Sequence, residues 1–260
     1  MTALLGFSFF VTALIYASVG FGGGSTYSAF LALANTDLAV FPLISLICNI
    51  IVVLGGAFAF SKWHLNCFKM VIPWVIPSVP AALIGGQIDI SKTVFFFLLA
   101  LSLLVSSVCM LKIPQKHLLK SCRKNFPTIP FKLSISVGFC LGLLSGLVGI
   151  GGGVFLSPIL YALGKNQEKE IAGMCSIFIL LNSTAGLMGH FIKAENAETT
   201  AHSLLAYGPL FVSVLVGGQI GAWSGAHIID PKWIRVTTAI LIFYVSVQLF
   251  LRWAAMIWSF

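Results

Sequence analysis

The chain has 260 residues, of which 58% are hydrophobic and only 8% are charged, and its mean hydropathy is +1.02. A soluble domain carries roughly a quarter charged residues, so this composition excludes an ordinary soluble protein and indicates an integral membrane protein. The formal net charge of +8 does not indicate nucleic-acid binding, because six of the fifteen Lys and Arg lie between residues 112 and 132, beside hydrophobic segments. Such a cluster is typical of a cytoplasmic loop.

Eight apolar stretches follow one another along the chain. They lie at about 3–34, 39–60, 68–88, 93–111, 133–163, 170–192, 204–228 and 234–258. Six are ordinary spans, because about 20 helical residues cross roughly 30 Å of hydrocarbon. The first and the fifth contain glycine clusters and, at about 31 residues each, are too long for one straight span and too short for two. The sequence therefore predicts an all-α membrane protein with about eight hydrophobic segments.

The two glycine clusters are copies of one short sequence motif. Val19-Gly20-Phe21-Gly22-Gly23-Gly24 returns 129 positions later as Val148-Gly149-Ile150-Gly151-Gly152-Gly153. Glycine holds a helix poorly, so three in a row are expected to open the helix at membrane depth. A bilayer tolerates such a break only where protein or a wet cavity satisfies the freed backbone groups. Two equivalent breaks predict the binding site of a transporter built from a repeat.

Two further landmarks recur in the same order at nearly the same period. They are Asn49 and Asn182, 133 positions apart, and Pro77 with Gly85-Gly86-Gln87, which returns 132 positions later as Pro209 with Gly217-Gly218-Gln219. Three such landmarks predict an internal duplication. We expect two homologous membrane repeats, at 1–111 and 133–260, joined by a basic cytoplasmic linker at 112–132.

The relative orientation of the halves depends on the glycine-broken stretches. If each crosses the bilayer once, the halves are parallel and five of the fifteen Lys and Arg lie outside. If each is a re-entrant hairpin, three crossings remain per half, the halves are inverted and only three lie outside. The positive-inside tendency favours the second arrangement. An inverted repeat is therefore favoured over a parallel one.

The breaks are the first-rank candidates for substrate binding. A half-helix that restarts at such a break presents free N–H groups and the positive end of its dipole, which suits an anion without any charged side chain. The candidate residues are Gly22, Gly23, Gly24, Ser25 and Thr26 in the first half, and Gly151, Gly152, Gly153 and Val154 in the second. The alternative is that triple glycine only allows close helix packing. The symmetry of the two breaks favours a site.

Polar residues inside the other spans form a second rank. Asn49, Asn182, Gln87 and Gln219 are candidate substrate donors, and interhelical hydrogen bonding is their alternative role. Hydroxyls near Asn182 add possible donors at Ser176, Ser183 and Thr184, although such groups often bond back to the preceding turn. His190 is a candidate proton relay, but a lone histidine in a span is more often a hydrogen-bonded structural residue.

The sequence lacks the residues that cation transport, metal binding and nucleophilic catalysis need. Acidic residues are confined to span ends (Asp37, Asp89, Asp230) and loops (Glu168, Glu170, Glu195, Glu198), and no Lys or Arg is expected at mid-membrane. Cation pumps usually need buried carboxylates, so a cation substrate is disfavoured. The six cysteines show no metal-ligand or disulfide spacing, and no nucleophile has a base beside it. We therefore predict no catalytic residue, no metal and no cofactor, and the protein is not expected to be an enzyme.

The sequence resembles the TauE/SafE family of sulfite exporter-like membrane proteins. The resemblance rests on Gly20-Phe21-Gly22-Gly23-Gly24-Ser25, on Gly149-Ile150-Gly151-Gly152-Gly153 and on the two Gly-Gly-Gln triplets, and it covers essentially the whole chain. It implies export of a sulfur-containing anion, such as sulfite or an organosulfonate, across the bacterial inner membrane. Ser25-Thr26 follows the first cluster but Val154-Phe155 follows the second, so the two half-sites cannot donate equally.

The sequence thus predicts a multi-pass exporter of a small anion in the bacterial inner membrane, with the 112–132 loop cytoplasmic. The lipid bilayer and the anion are its expected partners, and nucleic acid is not. An anion channel, a transporter of another small anion and a non-transporting membrane scaffold remain the alternatives. The particular anion, the coupling ion and the oligomeric state are left open.

Overall fold

The computed structural model describes residues 2–34, 40–60, 68–88, 91–112, 131–162, 168–193, 204–229 and 231–258. These residues form helices joined by turns and contain no strand. The helices are α1 (Thr2–Ala17), α2 (Gly24–Leu33), α3 (Phe41–Ala59), α4 (Phe68–Gln87), α5 (Lys92–Lys112), α6 (Phe131–Val148), α7 (Gly153–Ala162), α8 (Glu168–Lys193), α9 (Gly208–His227) and α10 (Pro231–Trp258). The predicted linker lies almost wholly outside the described residues, so the domain division and the side of this loop stay predictions.

Apolar helices of spanning length confirm the predicted all-helical membrane character within the described residues. By length and composition, α3, α8 and α9 are able to cross a bilayer. Shorter apolar helical segments occur at Leu4–Ala17, Val71–Gln87, Phe96–Val105, Ser134–Val148 and Ile242–Ala255. Large apolar side chains, among them Phe58, Leu205 and Leu251, stand on the outer surface, as expected for a protein surrounded by lipid. The number of eight segments stays a prediction.

Both glycine clusters interrupt the helix. The chain leaves α1 at Ala17 and re-enters a helix only at Gly24, and it leaves α6 at Val148 and starts α7 at Gly153. Five glycines in these two breaks have positive φ: Gly20 (78°), Gly23 (82°), Gly149 (70°), Gly151 (80°) and Gly152 (75°). Only glycine adopts this left-handed conformation without steric cost, so the breaks follow directly from the composition of the clusters.

The first break turns the chain back on itself. Phe9 of α1 stacks on Tyr27 of α2 with ring centroids 4.7 Å apart, and it contacts Phe30, one turn further along α2, at 6.5 Å. Nearer the break, the hydroxyls of Tyr16 and Thr26 lie 2.9 Å apart. Residues that lie earlier in α1 therefore contact residues that lie later in α2, so the two helices form a hairpin.

Helices α3 and α8 cross at the centre of the molecule and run antiparallel. A methyl group added to Gly56, near the end of α3, would lie 2.8 Å from the Ser176 hydroxyl in the first part of α8. A methyl group added to Gly186, in the latter part of α8, would lie 3.6 Å from Leu46 near the start of α3. Both helices are buried along most of their length, so the break-bearing segments pack against a central antiparallel pair.

Two parallel helix pairs flank this centre, and each is held together by glycines spaced four residues apart. Small residues at this spacing let helix backbones approach closely in membranes. Gly138, Gly142 and Gly146 of α6 lie against the backbone carbonyls of Trp74, Ser78 and Ala82 of α4. Gly217, Gly221 and Gly225 of α9 lie against those of Phe10 and Leu14 of α1 and of Ser18, which follows the end of α1. These two series of glycines, called glycine ladders below, have a spacing that is visible in the sequence, but their partner helices are not.

Helices α5 and α10 pack on each other and complete the bundle. Phe97 of α5 lies between Phe250 and Trp253 of α10, with ring centroids 6.4 and 5.1 Å away. The Ser246 hydroxyl of α10 donates to the Ala100 carbonyl of α5 at 2.9 Å. Helix α5 also contacts α6 and α7, and α10 also contacts α1 and α2.

Candidate functional site

A single serine on α3 touches both glycine breaks. The Ser45 hydroxyl lies 2.9 Å from the Gly24 carbonyl of the first break and 2.7 Å from the Gly149 carbonyl of the second. On α8, the Ser176 hydroxyl lies 3.0 Å from the Gly20 carbonyl. Because the same α3 residue contacts both breaks, the two interruptions lie next to each other in the folded chain.

The Asn49 side chain occupies the space between the breaks. A methyl group added to Gly22 would overlap its Oδ1, and one added to Gly24 would lie 2.5 Å from its Nδ2. A methyl group on Gly151, in the other break, would lie 3.2 Å from the same Nδ2. Asn49 is completely buried, and neither end of its amide has a hydrogen-bond partner among the described residues. An unpaired buried amide costs free energy, so a ligand or a water molecule is expected to complete its hydrogen bonds.

Unpaired hydroxyl groups surround the same space. The Ser183 hydroxyl of α8 lies 2.6 Å from the position of a methyl group on Gly151, and the Cβ of Ser145 on α6 lies 3.2 Å from that of a methyl group on Gly152. Among the described residues, eight buried side-chain polar atoms have no partner. Seven of them belong to Ser25, Tyr27, Ser28, Asn49, Ser145 and Ser183, and the eighth, on Ser107, lies in α5. Unsatisfied polarity is thus concentrated at the breaks.

The half-helices add backbone donors at the same place. In α2 and α7 the first amides with a backbone acceptor are those of Thr26 and Phe155, which donate to the carbonyls of Gly23 and Gly152 at 3.0 and 3.1 Å. The amides that precede them in each half-helix lack an intrahelical acceptor, as at every helix start. With the positive end of each helix dipole, these N–H groups favour an anion.

Asn182 has a hydrogen-bond partner at each end of its amide, unlike Asn49. Its Oδ1 accepts from the Ser78 hydroxyl of α4 at 2.7 Å, and its Nδ2 donates to the Phe178 carbonyl at 3.0 Å. The next residue, Ser183, faces the break at Gly151 instead. The substrate role of Asn182 and its pairing with Asn49 in the repeat stay predictions.

The two glutamines lie on exposed helix faces. The Gln87 Nε2 donates to the Leu83 carbonyl of its own helix at 3.2 Å, and the Gln219 amide lies against Gly55 of α3. The glycines before them serve helix packing, since Gly85 lies against the Leu143 carbonyl. In the described part of the chain, neither amide is among the contacts of the break glycines, and their substrate role stays a prediction.

The structure gives the contacts or the burial of the remaining candidate residues. The Thr26 hydroxyl is paired with Tyr16 within the hairpin, and Val154 is buried as an apolar residue. The Thr184 hydroxyl bonds back to the Leu180 carbonyl at 2.7 Å. The His190 Nε2 lies 3.0 Å from the Gly146 carbonyl on α6, so it contacts the helix that leads into the second break. Its role as a proton relay stays a prediction.

Few charged side chains are buried in the part of the chain that the structure describes. Among the side chains with a described burial, the only buried charged one is Glu170. It lies with Glu168 in the first turn of α8 and not in a loop, which corrects the sequence-based placement of both. No cluster of His, Cys, Asp or Glu in the described residues is arranged to hold a metal ion. Neutral donors therefore dominate the space between the breaks.

A profile of the family described as Sulfite exporter TauE/SafE matches residues 4–249. The chain belongs to this family. A Sinorhizobium fredii protein named "Probable membrane transporter protein y4hK" is 31% identical over 249 residues, which cover 94% of this chain and 96% of that protein. "Probable membrane transporter protein YunE" of Bacillus subtilis is 24% identical over 82% of this chain and 84% of its own length. No solved structure matches.

A shorter match connects the chain with a plant member of the family. The Arabidopsis thaliana "Sulfite exporter TauE/SafE family protein 1" is 38% identical over 77 residues, which cover 29% of this chain and 16% of the plant protein. Members of the TauE/SafE family are membrane transporters and not enzymes, so the predictions of the family, of a transporter and of a non-enzyme are confirmed.

Proposed function

We propose that this TauE/SafE protein exports a small sulfur-containing oxyanion, sulfite or an organosulfonate, across the bacterial inner membrane. The anion is bound between the two glycine breaks. The observation that carries this proposal is the Asn49 amide, which is buried, unpaired at both ends and in contact with glycines of both breaks. Such a group is stable only when a ligand or water completes its hydrogen bonds.

The surroundings of Asn49 match the chemistry of an oxyanion. The N–H groups at the starts of α2 and α7, the Asn49 Nδ2 and the hydroxyls of Ser145 and Ser183 are all hydrogen-bond donors. Each oxygen of the anion accepts from such groups, and the helix dipoles offset its negative charge. A site built of neutral donors also releases its ligand more readily than one built around a buried ion pair, which a transporter requires.

The direction of transport follows from the charge of the ligand. A negative cell interior drives a monovalent anion outward with about 2.3 kcal/mol per charge per 100 mV. Export therefore requires no coupling ion. A site without buried cation-binding carboxylates agrees with potential-driven export.

We further propose that the two halves, 1–111 and 133–260, are inverted repeats. Corresponding helices α3 and α8 run antiparallel, whereas equivalent helices of parallel repeats run in the same direction. The hairpin of α1 and α2 supports the re-entrant interpretation of the first glycine-broken stretch. In this topology the 112–132 linker lies in the cytoplasm.

The proposed function is tested by sulfite flux in proteoliposomes under an imposed membrane potential. We expect saturable sulfite uptake that follows the potential, competition by thiosulfate or a C2 sulfonate, and faster exchange when sulfite is present on both sides. Saturation and exchange distinguish a carrier from an open channel. Absence of flux for every sulfur anion, from protein shown to be folded, would contradict the proposal.

A further inference from the structure

The Asn49 amide makes two different demands on a ligand. Its Nδ2 donates hydrogen bonds, whereas its Oδ1 only accepts them. Both atoms are buried and unpaired, with Oδ1 against Gly22 and Nδ2 near Gly24 and Gly151. Rotating the amide by half a turn exchanges its two ends and leaves the same requirement. A ligand that satisfies Asn49 fully must therefore accept one hydrogen bond and donate another.

The other unpaired groups at the breaks do not require a ligand that donates a hydrogen bond. Ser145 and Ser183 carry hydroxyls that donate or accept as the ligand requires, and the free backbone groups at the helix starts are N–H donors. Asn49 Oδ1 is thus the only obligate acceptor among the unpaired side-chain atoms of Asn49, Ser145 and Ser183. A fully deprotonated dianion offers only acceptor oxygens, so it would leave Oδ1 unpaired and place a negative oxygen against it.

The charge of the site points in the same direction. Among the side chains whose burial the structure describes, Glu170 is the only charged one that is buried, and the three Lys and Arg of that set, Lys169, Lys193 and Arg252, are not. Neutral donors and helix dipoles balance about one negative charge, because removing an ion from water without a counter-ion is costly and the cost grows steeply with charge. A singly charged ligand therefore fits better than a dianion.

We propose that the site selects a singly charged oxyanion that carries its own O–H or N–H donor, and that Asn49 is the residue that determines this specificity. Hydrogensulfite and hydroxyalkyl sulfonates belong to this class, and the sulfite dianion does not. This inference rests on the proposed function, and it specifies which form of the anion the protein takes.

The matched probes for this inference are sulfamate and methanesulfonate. The two ions have the same charge and nearly the same shape, but sulfamate carries an amino group where methanesulfonate carries a methyl group. Binding is measured by titration calorimetry on the purified full chain in detergent. We expect sulfamate to bind roughly tenfold more tightly, which corresponds to one additional hydrogen bond to a buried acceptor.

Two variants test whether Asn49 causes the preference for sulfamate over methanesulfonate. Asn49→Leu removes the obligate acceptor, so sulfamate and methanesulfonate are expected to bind with equal affinity. A thermal-unfolding measurement checks whether the variant is folded. Gln248→Leu is the matched control on α10: its amide lies on an exposed helix face and donates to the Tyr244 hydroxyl, so the preference for sulfamate is expected to remain.

Three outcomes would overturn the inference while sulfite binding still supports the proposed function. They are equal affinities for the two probes in the unaltered protein, a preference that persists in folded Asn49→Leu, and binding of sulfite but of neither probe. Failure of sulfite and of both probes to bind folded protein would instead contradict the proposed function itself. The comparison in the unaltered protein needs no variant, so a folding defect in Asn49→Leu leaves the inference testable.

Discussion

Replacing Gly151 with alanine is expected to reduce sulfite transport to background while the protein still inserts into the membrane. The new methyl group would lie 2.6 Å from the Ser183 hydroxyl and 3.2 Å from the Asn49 Nδ2, so it would occupy the space proposed for the anion. Gly151 also has φ of 80°, where alanine costs roughly 1–2 kcal/mol. The measurements are proteoliposome flux and the amount of folded protein after purification in detergent.

The control for this variant is Gly208→Ala. Gly208 is the first residue of α9, and a methyl group added there would have no heavy atom within 4 Å. We expect flux and folding of this control to equal those of the unaltered protein. Transport by Gly151→Ala at the unaltered rate would show that the anion does not pass between Asn49 and Ser183.

The second large effect is expected at the glycine ladder between α4 and α6. A methyl group on Gly142 would overlap the backbone carbonyl of Ser78, which no side-chain rotation relieves. Gly142→Ala should therefore force the two helices apart and lower the free energy of unfolding by roughly 1–3 kcal/mol. Thermal unfolding in detergent measures this loss directly.

Gly6 of α1 is the matched control for the ladder. A methyl group there would lie 3.4 Å from the Ser213 hydroxyl, an ordinary contact. Alanine is a better helix former than glycine by about 1 kcal/mol, so Gly6→Ala should leave stability unchanged or raise it. Equal stabilities of Gly142→Ala and Gly6→Ala would show that close backbone contact between α4 and α6 does not hold the fold together.

The sequence was sufficient to locate the breaks. Three consecutive glycines inside an apolar stretch predict a break in the helix. The positive φ angles at Gly23, Gly151 and Gly152 show that the backbone leaves the helical conformation there. The direction of α3 relative to α8 was not accessible in the same way. Charge counts favoured one topology, but only contacts between residues more than 100 positions apart, such as Gly56 with Ser176, show how the two helices run.

The polar residues of the site were only partly predictable for a related reason. Asn49 was identified from its depth in a span, and the structure places it against both breaks. Its partner on α8 was assigned by sequence period to Asn182, but a shift of one residue turns a side chain by about 100° around a helix. The two neighbouring residues therefore point in different directions: Asn182 bonds to Ser78, whereas Ser183 faces Gly151.

The glycine ladders were missed because each ladder meets a helix distant in sequence. Gly138 and Gly217 start regular four-residue series that are visible in the chain, but their partners on α4 and α1 lie more than 60 and 200 positions away. Sequence period indicates that small residues share one helix face. It does not indicate which helix they contact, because that depends on the packing of the whole bundle.

The central claim is that both breaks contact one bound anion, and glycine amide shifts test it most directly. The chain has 25 glycines, so protein labelled with ¹⁵N only at glycine gives a tractable spectrum in detergent micelles. On titration with sulfite, we expect the amides of Gly22–Gly24 and Gly151–Gly153 to shift with one common dissociation constant, while the ladder glycines of α6 and α9 do not. Shifts confined to one break, or found only away from both, would contradict a shared site.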